Sequence, residues 1–193
     1  MSKKGTLFVI SGPSGVGKGT LKEVLLAELA GIKLSISVTT RKPRVGEVDG
    51  RDYFFVSEET FKELILEDKL LEWAKVYTNM YGTPRDFVLE NLNQGQDILL
   101  EIDIQGALQI KKKMPDGVFI FISPPSIEEL GLRLYSRGKD SQESINIRLA
   151  ACKDELKYSK HYNYIVVNDN ISEAVDKLKS IIVAERCKIE KLD

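Results

Sequence analysis

Gly12-Pro13-Ser14-Gly15-Val16-Gly17-Lys18 restricts what this chain can fold into more than any other stretch. It follows the apolar run Thr6-Leu7-Phe8-Val9-Ile10 and opens onto a helix-like run from Thr20 to Ala30. Strand, glycine-rich turn and helix, in that order, turn a G-x-x-x-x-G-K match into a phosphate-binding site. Glycines let the backbone wrap inward, so that successive N–H groups face phosphate oxygens. The helix start behind them adds positive dipole, and Lys18 adds a full charge that can follow β- and γ-phosphates. The plainer alternative is a glycine turn before an ordinary helix. The strand before it and the helix after it argue against that.

The usual pattern has Ser or Thr directly after the lysine, with its hydroxyl on Mg²⁺. Here that position is Gly19, and the hydroxyl arrives one residue late, as Thr20. Mg²⁺ is therefore expected to be held mainly by nucleotide phosphates and water, in keeping with its reluctance to dehydrate. The Gly-Lys-Gly-Thr ending is similar to that of nucleotide kinases with a mobile lid. It points to a small-molecule kinase and away from the switch GTPases.

At 193 residues the chain suits one compact domain with room for inserted flaps. A net charge of −1 offers no global basic excess to release counterions, which argues against a nucleic-acid polymer as partner. Anion binding must then be local. Cys152 and Cys187 lie far apart with no C-x-x-C, so buried or idle thiols in a reducing cytosol are expected. Met1-Ser2-Lys3-Lys4-Gly5 runs straight into the first strand, and no apolar run is long enough to span a membrane. The expected location is the cytoplasm. His161 is the only histidine and reads as a surface or capping residue. With no partner for it, a Cys/His dyad or Ser/His/Asp triad is excluded.

After the first helix, Leu34-Ser35-Ile36-Ser37 predicts a second strand. The polar loop Val38–Tyr53 follows, and Arg41, Lys42, Arg44 and Arg51 fall within eleven residues of it. Pro43 stiffens the turn, and Arg41 with Arg44 can grip one phosphate through charge-assisted, forked hydrogen bonds. Tyr53 can add its hydroxyl. Such a loop can also be plain solvated surface. Phe54-Phe55-Val56 continues as strand, and Ser57-Glu58-Glu59 begins a helix to about Asp68. Leu70–Tyr77 is strand-like, with Glu72 set among large apolar residues, either on a wet face or aimed into a pocket. Asn79–Pro84 reads as a turn, with Pro84 at the first position of a helix through about Asn93.

Asp97–Asp103 predicts a buried strand ending in two acids, Glu101 and Asp103, on one side by alternation. Such carboxylates beside a phosphate loop can order Mg²⁺, or they can be a charged strand end. A helix follows from Ile104, and Lys111-Lys112-Lys113 suits its C-terminus and carries no further expectation. Val118–Ile122 is a strand without polar residues, and Ser126 with Glu129 makes a capping box. Arg133, Arg137-Gly138 and Arg148 describe a hinged lid able to neutralise transferring charge, against the alternative of surface charge on helices. Tyr164–Val167 is the last strand. Asn170 caps a helix whose stripe is Ile171, Val175, Leu178 and Ile182. Alternating strand and helix give an α/β fold with a parallel sheet.

Across nearly its whole length the sequence resembles guanylate kinase. The carrying stretches are Ser11–Lys18, Ser37–Arg44 with Gly46-Glu47 and Asp52-Tyr53, Glu72-Trp73 and Tyr81-Gly82-Thr83. Asp103-Ile104-Gln105-Gly106, Pro124-Pro125-Ser126, Arg133…Arg137-Gly138 and Asn168-Asp169 complete them. The resemblance implies a P-loop NTPase-type parallel sheet flanked by helices, with an inserted GMP-binding region and a helical lid. It also implies transfer of the γ-phosphoryl group of ATP to GMP, with Mg²⁺, and GMP recycling as the role. The core would be about 1–36, 92–125 and 153–193, the GMP-binding region about 37–91 and the lid about 126–152.

By the same resemblance, Ser11, Gly12, Pro13, Ser14, Gly15, Val16, Gly17, Lys18, Gly19, Thr20, Arg137 and Asn168 would contact ATP. Ser37, Arg41, Arg44, Tyr53 and Tyr81 would hold the GMP phosphate, and Glu72, Thr83 and Asp103 would read guanine. Lys18, Arg41, Arg133, Arg137 and Arg148 would stabilise the phosphoryl group in flight. Thr20 and Glu101 are candidate Mg²⁺ contacts, Glu101 standing where the family often has aspartate. The expected partners are ATP and GMP, with dGMP as a further acceptor, and the expected assembly is a monomer or homodimer. Two other readings stay open: a different nucleoside-monophosphate kinase, and a non-catalytic guanylate-kinase-like binding module. The intact Lys18, Arg41 and Arg44 disfavour the module.

Overall fold

Apolar runs without polar alternation belong to strands covered on both faces, and three of them carry this structure. In chain order the elements begin with β1 (Leu7–Ser11), α1 (Lys18–Glu28), β2 (Ile32–Leu34), β3 (Val38–Thr39), β4 (Phe54–Phe55) and α2 (Glu58–Leu66). Next come β5 (Leu70–Val76), β6 (Asn79–Pro84), α3 (Arg85–Asn93), β7 (Asp97–Glu101) and α4 (Ile104–Lys113). β8 (Val118–Ser123), α5 (Ile127–Ser136), α6 (Gln142–Leu156), a 3-10 helix (Lys157–His161), β9 (Tyr164–Val167) and α7 (Ile171–Arg186) close the chain. The computed structural model describes residues 4–136 and 142–189.

The five-stranded sheet has the order β2-β7-β1-β8-β9, and the four-stranded sheet the order β4-β3-β6-β5. In the larger sheet β2 pairs with β7 and β8 with β9, both in parallel. Every residue of β1 and β8 is buried, as strands between two layers of helices must be. The chain divides into two compact units, Met1–Val9 with Gly31–Gly117, and Ile10–Ala30 with Val118–Asp193.

In the first unit, α3 packs on β7, and α2 covers the smaller sheet through Phe61, Val38 and Leu70. Ser57 caps α2 by accepting from Thr60 N–H, and Asp103 caps α4 by accepting from Gln105 and Gly106 N–H. In the second unit, α1 and α7 pack together, and Val175, Leu178 and Ile182 of α7 are buried. Helices α5 and α6 share a core of Leu130, Leu134, Ile145 and Cys152. Cys152 is buried and Cys187 exposed, both as free thiols, and burial pushes the Cys152 thiol up to about 11. No helix among the described residues is long and apolar enough to cross a membrane.

Four local expectations change. The second strand is Ile32–Leu34, because its register against β7 is set by Ile32 opposite Asp97 and ends at Leu34 opposite Leu99. Asn79–Pro84 is strand β6 and not a turn; the turn is Tyr77-Thr78, with Val76 paired to Asn79. Tyr77 takes a left-handed φ of 55° there, a conformation that sequence rules reserve for Gly or Asn. Asp103 leaves the strand to cap α4, so alternation no longer relates it to Glu101. Ile171 is 45% exposed and falls off the buried stripe of α7.

Candidate active site

The phosphate loop lies in the second unit. It joins the buried end of β1 to α1, and Gly12, Gly15 and Gly17 all have positive φ. At Gly17, φ is 95°, and an added Cβ would lie 2.6 Å from Asn168 Nδ2. Only glycine satisfies both demands. Lys18 heads α1, and its ammonium donates to the carbonyls of Gly12 (2.6 Å) and Pro13 (3.0 Å), so the charge rests over the loop. Thr20, two residues on, is exposed.

Asn168 closes the other side of this loop. Its Nδ2 donates to Val16 O at 2.8 Å, and its backbone N–H donates to Ser123 O. Asn168 is buried, yet its Oδ1 has no hydrogen-bond partner, and the same holds for Ser11 Oγ. Buried acceptors of this kind are rare and mark places where a donor belongs. Arg133 does not point outward: Nε donates to Glu129 at 3.0 Å, and Nη1 to Asn168 O at 2.6 Å. The Ser126–Glu129 box is therefore half made. Ser126 Oγ accepts from Glu129 N–H, while the Glu129 carboxylate turns to Arg133. Arg148 is half-buried on α6. Arg137 and Gly138 lie outside the described residues.

The basic loop lies in the first unit. Arg41 makes a two-pronged ion pair with Glu47, Nη1 to Oε2 at 2.9 Å and Nη2 to Oε1 at 2.8 Å. Its guanidinium also sits 5.2 Å from the Tyr53 ring centre and 5.7 Å from that of Phe55. Glu47 accepts from Arg44 N–H as well, so one carboxylate organises both arginines. The Arg41 hydrogen bond holds the Glu47 carboxyl below its ordinary range, and Glu47 raises Arg41 in turn. Tyr53 packs edge-on to Tyr81, and burial, followed by the Glu101 charge, pushes its phenol up to about 12. The phenol is therefore a protonated donor at neutral pH. Arg44 is exposed, and Ser37 accepts from Phe54 N–H through its backbone carbonyl. Glu47 is the residue that motif reading passed over as a site. Its signal was an acid six residues after Arg41 in a loop otherwise rich in base.

Glu72 settles the choice between wet face and pocket, for it is 3% exposed. The β5–β6 register sets it opposite Thr83, whose hydroxyl donates to Oε1 at 2.6 Å. On the other side lies Gly106 in the first turn of α4, where a Cβ would fall 2.5 Å from Oε2 and 3.2 Å from Asp103 Oδ1. Burial raises the Glu72 carboxyl to about 7; the Thr83 hydrogen bond opposes this, Asp103 adds to it and Lys113 opposes it. A buried carboxylate with one internal donor and an acidic neighbour is short of partners.

A buried strand, a glycine loop carrying lysine onto a helix, and helices around a parallel sheet define a P-loop phosphotransferase. The fold recurs in a shikimate kinase from Bacteroides thetaiotaomicron, at a TM-score of 0.55 and 14% identity over 92% of this chain and 98% of that one. The sequence model of the guanylate kinase family matches residues 4–185, and the chain belongs to that family. It is 63% identical to the guanylate kinase of Syntrophomonas wolfei over 193 residues, covering 100% of this chain and 99% of the relative. It is 56% identical to that of Caldanaerobacter subterraneus over 99% of this chain and 93% of the relative. A crystal structure of guanylate kinase from Anaplasma phagocytophilum matches with a TM-score of 0.82 and 37% identity, covering 97% of this chain and 89% of that one.

Proposed function

We propose that this chain transfers the γ-phosphoryl group of ATP to GMP, and that the buried, donor-poor carboxylate of Glu72 selects the acceptor. Guanine offers two adjacent donors, N1–H and the exocyclic amine, to such a carboxylate, whereas adenine sets its N1 lone pair against it. Leaving a buried charged acceptor unpaired costs about 1–3 kcal/mol or more. Thr83 and Asp103 complete the base site. Arg41, Arg44, Ser37, Tyr53 and Tyr81 hold the phosphate, in a GMP-binding region of about 37–91.

On the donor side, the backbone from Ser11 to Thr20, with an N–H at every position but Pro13, cradles the ATP phosphates, and the orphaned Oδ1 of Asn168 accepts from the adenine amine. A GMP phosphate oxygen attacks the γ-phosphorus as the bridge to the β-phosphate breaks, so GDP forms and ADP leaves. No protein nucleophile is needed; positioning and charge neutralisation suffice. Lys18, Arg41, Arg133, Arg137 and Arg148 supply that charge, the last three from a lid of about 126–152.

Among the described residues no group of three His, Cys, Asp or Glu side chains could cage a cation. Mg²⁺ is carried mainly on the nucleotide phosphates and water, with Thr20 and Glu101 as contacts. When bound, the ion neutralises charge on the β- and γ-phosphates. We read the protein as a cytoplasmic enzyme of small nucleotides, with dGMP as a further acceptor, acting as a monomer or homodimer apart from membranes and nucleic acids.

The test is ADP release from Mg·ATP with GMP, AMP, UMP or CMP as acceptor. GMP alone should support turnover. Turnover with another monophosphate would overturn the base-reading residues, and binding of GMP without turnover would favour a binding module. Two variants refine it. Glu47→Gln loosens the pre-set Arg41 fork, and KM for GMP should rise roughly fivefold, about 1 kcal/mol, with KM for ATP unchanged. Gly106→Ala drives a methyl group onto the Glu72 carboxylate and should raise KM for GMP about tenfold at unchanged KM for ATP. Equal shifts for both substrates would contradict these assignments.

A further inference from the structure

Strand β5 is an edge of the four-stranded sheet, and its outward backbone groups are met by helix α4. Gln105 Nε2 donates to Lys75 O at 3.3 Å, Gln109 Nε2 to Trp73 O at 2.7 Å, and Lys113 Nζ to Leu71 O at 2.6 Å. Gln109 Oε1 also accepts from Trp73 N–H at 3.4 Å, so this one amide both donates to and accepts from the same residue. The spacing is a geometric match. Four residues of helix rise about 6.0 Å, and two residues of strand advance about 6.6–6.8 Å. Side chains at 105, 109 and 113 therefore meet carbonyls at 75, 73 and 71, one rung after another.

Glu72 lies between the two strongest rungs. Its neighbours Leu71 and Trp73 are the residues that Lys113 and Gln109 hold, and its carboxylate faces Gly106 and Asp103 at the start of the same helix. We propose that Gln109 is a positioning residue for base recognition. With Gln105 and Lys113 it locks the register of β5 against α4, which fixes the Glu72 carboxylate beside Asp103. This rests on the reading of Glu72 as the selector of guanine. The ladder also makes the edge of β5 unavailable to another strand, as an edge must be. That structural role alone would not single out one substrate.

The experiment uses the full chain and steady-state kinetics with GMP and AMP at saturating Mg·ATP. Gln109→Met keeps side-chain length and helix propensity while removing both hydrogen bonds. It should raise KM for GMP about fivefold and lower the GMP-over-AMP preference in kcat/KM about tenfold, with KM for ATP and kcat within about twofold. In a Glu72→Gln background the same change should alter the preference less than about twofold, because Gln109 acts through Glu72. Equal losses in both backgrounds, or matching shifts in the GMP and ATP parameters, would reduce Gln109 to general support and overturn the proposal. An unchanged preference in Gln109→Met, beside a lost preference in Glu72→Gln, would overturn the proposal and leave the base-reading assignment standing. An unchanged preference in Glu72→Gln would remove both. If Gln109→Met does not fold, Gln109→Asn, which keeps the amide but shortens its reach, carries the same comparison.

Discussion

Replacing Lys18 with methionine is expected to lower kcat by about 10²–10³, the typical loss when one preorganised donor to a charged transition state is removed. The side chain keeps its length and apolar stem, so α1 should keep its start and the protein its stability. What disappears is the ammonium that now bridges the Gly12 and Pro13 carbonyls. Those carbonyls hold it over the loop before any nucleotide arrives, so its placement requires little reorganisation when charge develops. KM for ATP should rise much less than kcat falls, because the backbone N–H groups of the loop are untouched. Single-turnover measurements with saturating Mg·ATP and GMP would isolate the chemical step. A loss under about tenfold there would mean that the loop backbone and the arginines do the neutralising.

Glu72→Gln carries the second large effect. The amide turns a donor toward guanine donors, so kcat/KM for GMP should fall about 10²-fold, close to 3 kcal/mol, while KM for ATP stays put. Preference over AMP should weaken at the same time. The pH profile gives a separate check. Burial raises the Glu72 carboxyl to about 7, above the ordinary carboxylate range. Since the folded value exceeds the unfolded one, the protonated form favours folding. That contribution is full below the unfolded value and is lost as pH rises through about 7. A Glu72 that accepts from guanine must be ionised, so on the proposed reading KM for GMP should fall as pH rises toward 7 and level off above it. The phosphate of GMP also titrates, near about 6 by analogy with phosphate monoesters. That component survives in Glu72→Gln, so the difference between the two profiles belongs to Glu72. Identical profiles would contradict the assignment.

Most of the donor side was legible in the sequence because it is local. The glycines, Lys18 and the apolar run before them lie within a dozen residues, and their spacing alone dictates a strand, a phosphate loop and a helix. Buried strands β1, β7 and β8 announced themselves by the lack of alternation, and the caps at Ser57 and Asn170 lie within three residues of what they cap, whereas Asp103 read as strand and only the fold made it a cap. The β5–β6 hairpin hid because its turn uses Tyr77 at positive φ, with no glycine to mark it. The loop made Arg41 a candidate phosphate ligand, but its partnership with Glu47 was not legible, since loop geometry decides which acid an arginine meets. The lysine run at the end of α4 read as helix-end charge; only the sheet edge beside it gives Lys113 a carbonyl to hold.

The sequence by itself determined the fold class and the chemistry, because phosphate cradling and helix or strand periodicity depend on neighbours along the chain. Only the tertiary structure decided what Glu72 is. Its partners Thr83, Gly106 and Asp103 lie 11 to 34 residues away, brought in by strand register and by the seating of α4 on β5. Burial among them, a property of the assembled unit and of no single segment, is what raises its carboxyl and leaves it short of donors.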